Sequence, residues 1–265
     1  MNRVPTFLKW LTSALLGISL LTGVLLIKGQ GQPNPLPSQI TASPSPSKTA
    51  EPKPAELNSL FIALISGDQK IVSAMILQKS SDNKTLKLIN IDPETPIVIK
   101  GKFVKLSDAG LGGSFDGVDK ALSSSLFTPI EGSVYLQRLA LAGLADAVGG
   151  VTVQANSNYL VSEPNRPPLF VPQGSVLIAG EQAAGFAMVK VPNEATADFM
   201  ARTDQVIRAV FEGMPVDKQR VEETLSALGS LARSNIATSS IAQMLVVLKE
   251  NNLWPNAIVT SKLIK

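Results

Sequence analysis

Apolar runs recur along the chain with a changing period, and the period indicates the element. Leu60–Ser66 (LFIALIS) is uninterrupted and stops at Gly67-Asp68, which predicts a short strand buried on both faces. Val72–Gln78 (VSAMILQ) predicts its neighbour. The turn cluster Ser81-Asp82-Asn83-Lys84 leads into Thr85–Ile91 (TLKLINI), whose alternation predicts the third strand of a meander. Beyond it the period lengthens. Gly117–Ser125 predicts a short helix after a Gly-rich loop. Leu136–Val148 (LQRLALAGLADAV) carries apolar residues at helical spacing and runs into Gly149-Gly150, a C-terminal stop. Val151–Gln154 predicts a strand directly afterwards. Leu177-Ile178 predicts the end of another strand, and Ala179–Gln182 the start of a helix. Asp198–Glu212 predicts a long amphipathic helix with Phe199, Val206, Val210 and Phe211 on or near one face, and Val221–Leu231 and Ser239–Glu250 predict two more. Strands alternating with helices imply an α/β domain over residues 56–265, a three-layer α-β-α arrangement around a mixed central sheet.

Upstream the pattern changes twice. Trp10 to Ile27 (WLTSALLGISLLTGVLLI) has no charge, and its length of roughly 27 Å as a helix suits a bilayer core. Arg3 and Lys9 precede it, which predicts a transmembrane helix at 10–27 with a cytoplasmic N-terminus at 1–9. The competing reading is a cleaved signal peptide, but the run ends in Leu-Leu-Ile-Lys-Gly-Gln, a poor cleavage site. Residues 28–55 follow; from Gly29 on they hold seven prolines among Ser, Thr, Gln and Lys. Proline on that scale denies helix and sheet ladders, so a disordered Pro/Ser-rich linker is expected, reaching up to roughly 80 Å. The domain is therefore expected at a cell membrane, single-pass, on the extracytoplasmic side.

Two absences restrict the chemistry. The chain has no Cys and no His, which excludes thiolate nucleophiles, Cys- or His-ligated zinc and a Ser-His triad; Ser73 has no base to activate it. Catalysis would rest on carboxylates, Lys, Arg, hydroxyls or an oxygen-bound cation such as Mg²⁺. The net charge of +3 is spread out, and no basic stripe with interleaved aromatics appears, so nucleic acid is not an expected partner. No 20–50-residue repeat, G-x-G-x-x-G, P-loop or G-x-S-x-G elbow occurs.

Four stretches resemble the LytR–CpsA–Psr family of membrane-anchored extracytoplasmic proteins, also labelled cell-envelope-related transcriptional attenuators. Leu141-Ala142-Gly143-Leu144-Ala145-Asp146-Ala147-Val148-Gly149-Gly150-Val151-Thr152-Val153 is similar to its helix-Gly-Gly-strand motif. Leu177-Ile178-Ala179-Gly180-Glu181-Gln182-Ala183-Ala184, Asp198 to Val210 (DFMARTDQVIRAV) and Ser234-Asn235-Ile236-Ala237-Thr238 are similar to three later ones. The likeness covers roughly residues 57 to 250. It implies transfer of a glycopolymer from a polyprenyl-pyrophosphate carrier to peptidoglycan with Mg²⁺. Arginine forks would grip the diphosphate, and an apolar tunnel between sheet and helices would take the lipid.

The resemblance fails where the chemistry would sit. Ser66-Gly67-Asp68-Gln69-Lys70 keeps a carboxylate but offers Lys for Arg, and Ile71-Val72-Ser73-Ala74 stands where two family charges belong. Asp92-Pro93-Glu94 loses an Arg. Phe186-Ala187-Met188-Val189-Lys190 puts Met for one Arg, and in the long helix only Arg202 matches. The expected catalytic candidates are Asp68, Glu94 and Arg202; the substrate-binding candidates are Lys70, Lys105, Lys190 and Arg202; the metal candidates are Asp68 and Glu94. Lys100, Lys102 and Lys105 cluster where the family's pyrophosphate entrance lies. Each charge also has a plain reading as a solvated or structural group. Three functions remain open: a degenerate relative that binds a polyprenyl-phosphate lipid or wall polymer, an active Mg-dependent transferase using lysines for lost arginines, and a non-catalytic partner of a catalytic relative.

Overall fold

The computed structural model describes residues 56–110, 115, 117–163 and 166–262. The expected membrane helix at 10–27 and linker at 28–55 lie outside the described residues. Among the described residues no helix is long and apolar enough to cross a membrane.

Three strands open the domain as their patterns require: β1 (Ser59–Ile65), β2 (Ile71–Lys79) and β3 (Leu86–Ile91), each antiparallel to the next. All seven residues of β1 are buried, because it lies inside the sheet with layers on both faces. A hairpin follows, β4 (Pro96–Ile99) and β5 (Lys102–Lys105), with Lys100 and Gly101 at positive φ in its turn. Helix α1 (Val118–Leu126) leads to β6 (Gly132–Gln137), which pairs parallel to β1, and then to α2 (Arg138–Ala147). Next come β7 (Val151–Ala155), β8 (Tyr159–Val161), β9 (Leu169–Val171) and β10 (Gly174–Ile178). Helices α3 (Gly180–Met188), α4 (Thr196–Gly213) and α5 (Lys218–Ser226), strand β11 (Ala232–Ser234), helix α6 (Thr238–Glu250) and strand β12 (Ile258–Lys262) complete the chain.

The principal sheet has six strands in the order β11-β6-β1-β2-β3-β12, parallel at β1/β6 and β3/β12 and antiparallel elsewhere. Each sheet face has its own apolar cluster. On one, Leu60, Ile62, Leu64, Met75 and Leu77 meet α2, α3, α4 and α6; on the other, Phe61, Ala63, Ile65 and Ile76 meet α1 and Ile97 of the hairpin. Alternate side chains of one strand thus serve opposite layers, and the sheet is mixed, as the sequence implied. Phe199, Val206, Val210 and Phe211 of α4 are all buried.

Two expected helices have other bounds: the one expected at Val221–Leu231 runs Lys218–Ser226, and the one expected from Leu136 starts two residues later. Leu136 and Gln137 belong to β6, and the helix begins at Arg138. Leu136 fits both periods, and pairing opposite Leu64 in the buried sheet claims it for the strand. The stop at Gly149-Gly150 is real: Gly150 N–H returns to the Ala145 carbonyl at 2.8 Å with φ +92°. A side chain there would be strained.

Candidate functional site

Where β2 begins and β3 ends, the two outer layers part. They leave a cleft of about 450 Å³ whose walls include Lys70, Val72, Asp92, Glu94, Lys105, Ser107, Asp108, Met188, Lys190, Thr196 and Phe199. Four sequence candidates, Lys70, Glu94, Lys105 and Lys190, thus share one site although more than a hundred residues separate the first from the last. The meander supplies Lys70 and Glu94, the hairpin supplies Lys105, and the α3–α4 connection supplies Lys190.

Three lysines face three carboxylates in this cleft, so it carries no formal net charge. Lys105 Nζ donates to Glu94 Oε2 at 2.6 Å. That bond holds the Glu94 carboxyl below its ordinary range and raises the Lys105 ammonium. Lys70 approaches Asp108 at only 4.0 Å, and Lys190 donates to Thr196 Oγ1 at 3.0 Å. All three ammonium groups are exposed or half-exposed, so a competing anion could recruit them at small cost.

Asp68 and Arg202 do not join them. Asp68 stands on the exposed β1–β2 turn, where its carboxylate accepts the Ser66 hydroxyl, which lowers its pKa. Asp68, unlike Glu94, is not among the residues that line the cleft. Among the described residues no group of three or more carboxylates could hold a metal ion. A resident Mg²⁺ held by protein alone does not fit this cleft.

Arg202 is 2 % exposed. Its Nε and Nη2 form a fork on Glu194, at 2.6 and 2.7 Å, and Nη2 also donates to the Val189 carbonyl at 2.6 Å. The rings of Tyr159, Phe186 and Phe199 surround the guanidinium at 5.0–5.1 Å. Phe199 lines the cleft on one side and packs against Arg202 on the other, so it is the partition between them. The fork that would suit a phosphate is filled by the chain's own carboxylate.

Lys100 and Lys102, expected beside Lys105, do not line this cleft. Lys100 borders a separate concavity with Lys120 of α1. Sequence reasoning also missed a second charged group. Arg138 pairs with Glu163 and with Glu181, and Arg166 reaches the same Glu181. Arg138, Glu163 and Arg166 line a cavity of about 350 Å³ that shares Val72 and Met188 with the cleft. The readable signal was a cation in the first turn of α2, where the helix dipole disfavours it. An apolar cavity of about 250 Å³, lined by Leu60, Ile62, Leu136, Leu144, Phe211 and Ile241 among others, lies between the sheet and the helices and shares no lining residue with the cleft.

The domain is similar to known proteins along most of its length. The model described as the LytR_cpsA_psr family matches residues 65–261. A polyisoprenyl-teichoic acid–peptidoglycan teichoic acid transferase, TagU of Bacillus mycoides (strain KBAB4), is 25 % identical over 186 residues, 68 % of this chain and 58 % of that protein. The match thus spans less than two thirds of that relative. Among solved structures, B. subtilis TagV superposes with a TM-score of 0.64 at 15 % identity, covering 77 % of this chain and 84 % of that one. TagT bound to LI-WTA gives 0.63 at 16 %, covering 77 % of each chain. A Streptococcus agalactiae protein gives 0.66 at 17 %, covering 77 % and 76 %. At such identities the structural likeness shows the fold alone.

Proposed function

The chain belongs to the LytR_cpsA_psr family, and from that premise we propose that it is a membrane-anchored extracytoplasmic envelope protein that binds the phosphate end of a polyprenyl-linked lipid or wall glycopolymer, with its transfer chemistry degenerate. Lys70 and Lys190 meet the anion in the cleft, and Lys105 joins when it leaves Glu94. Lysine ammoniums attract phosphate as point charges but lack the planar fork of arginine. The observation that supports the reading is the Arg202–Glu194 fork: the guanidinium best matched to the family pattern is buried, with Nε and Nη2 taken by Glu194 and only Nη1 without a hydrogen-bond partner. The anchor expected at 10–27 would keep the domain near its ligand.

The test uses the full chain in lipid nanodiscs, a polyprenyl pyrophosphate, Mg²⁺ and peptidoglycan. Saturable binding without phosphate release or transfer is expected. Turnover would overturn degeneracy, and absence of binding would overturn the whole reading.

One observation favours the active alternative, a Mg-dependent transferase. Asp92, Glu94 and Asp108 leave the cleft without positive surplus for a diphosphate. Mg²⁺ commonly binds through one or two carboxylates plus substrate oxygens, so a cation arriving with the ligand would supply that charge. In that case turnover appears and chelation removes it. A third reading, partnership with a catalytic relative, is tested by crosslinking in membranes.

A further inference from the structure

The layer of α1 and the β4–β5 hairpin ends in large apolar side chains that cover nothing. Phe103 is 82 % exposed and Phe127 is 95 % exposed. Val98, opposite Phe103 in the hairpin register, is also exposed. Phe127 closes α1 at φ +50°. A bulky residue in the left-handed region is costly, and no burial offsets that cost. Lysines share the same two elements. Pro96–Lys105 (PIVIKGKFVK) holds three lysines and no carboxylate. Lys100 and Lys120 border the concavity that Val98, Ser124 and Ser125 also line, one turn before Phe127. Among the described residues Lys100, Lys102 and Lys120 make no ion pair.

A second hairpin, β8–β9, exposes Leu160 and Phe170 as a cross-strand pair, but acidic Glu163 lies in its loop with Arg166. Exposed aromatics with unpaired lysines on the same two elements fit a surface that is negative outside and apolar just beneath. Anionic lipid has both properties; a soluble polyanion has only the first. We propose that the β4–β5 hairpin and the C-terminal end of α1 form a membrane-contact face, with Phe103 and Phe127 entering the headgroup region and Lys100, Lys102 and Lys120 meeting anionic headgroups. The proposal rests on the membrane anchoring proposed above, which resistance to carbonate extraction reports separately.

The cysteine-free chain permits single labels. Full chain carrying Phe103→Cys, Phe127→Cys or, for comparison, Phe170→Cys is labelled with an environment-sensitive dye. It is reconstituted in vesicles of phosphatidylcholine alone or mixed with phosphatidylglycerol, each with a spin-labelled lipid quencher. Circular dichroism verifies that each labelled chain is folded. Quenching and a blue shift are expected at 103 and 127 in the anionic vesicles, and neither at 170. Each of Lys100→Ala, Lys102→Ala and Lys120→Ala should lower the contact equilibrium about fivefold. Aqueous spectra at 103 and 127, equal quenching at 170, or the same shift produced by soluble polyphosphate without anionic lipid would each overturn the proposal.

Discussion

Two ion pairs with the same 2.6 Å N···O distance stand on either side of Phe199, and they have different roles. Lys105–Glu94 lies in the open cleft with both side chains more than half exposed; Arg202–Glu194 lies behind the aromatic wall with exposures of 3 % and 4 %. Water already solvates the first pair, so opening it costs little and a ligand can take either partner. Breaking the second leaves a desolvated charge among aromatic rings. Distance alone does not identify a binding group. Burial and the number of satisfied donors decide whether a cation is available.

The largest effect should follow from the buried side. Arg202→Ala strands Glu194, which also accepts the Val191 N–H, and should cost about 3–5 kcal/mol of stability. Chemical denaturation of the detergent-solubilised chain reads this. A variant with unchanged stability but lost diphosphate affinity would put Arg202 on the ligand side and break the comparison.

Asp204, on the same helix, is intermediate: it is buried, 3.8 Å from half-buried Arg208, and burial raises its pKa to about 6. Its folded-state value lies above the ordinary value of an aspartate, about 3.8. The fold therefore favours the protonated form, and stability from this group falls as pH rises from about 4 through about 6. The loss should be on the order of 3 kcal/mol by pH 7. Asp204→Asn should flatten that slope in denaturation measured across pH. A slope that persists would assign it to another group.

Substitutions in the cleft should leave stability alone and change binding. Lys190→Ala and Lys70→Ala should each weaken diphosphate binding about tenfold by calorimetry, in line with one charge-assisted contact. Smallest of all, Glu94→Gln should tighten binding a few-fold, since it releases Lys105. The sign is informative: if Mg²⁺ bridges Glu94 to the ligand, the same variant weakens binding instead.

The meander and the Gly-Gly helix were legible because each buries a single period from end to end. The β4–β5 hairpin was not, although Lys100-Gly101 marks its turn; three lysines in Pro96–Lys105 obscured an alternation in which Ile97 is buried and Val98 exposed. Strand β6 was missed, its last two residues being read into the helix that follows, because its partner β1 is some seventy residues away. Lys70, Glu94, Lys105 and Lys190, singled out from the family pattern, line one cleft. The role of Arg202 was not legible, since nothing local announces that Glu194, eight residues back across a loop, occupies its fork. Asp92 and Asp108 acquire meaning only through the layers that bring them opposite the lysines.

The most direct measurement is a crystal structure of the chain with a prenyl diphosphate. The account predicts the phosphates within hydrogen-bond reach of Lys70 and Lys190, with Arg202 still forked on Glu194 behind Phe199. A phosphate on the Arg202 guanidinium, with Glu194 displaced, would contradict it.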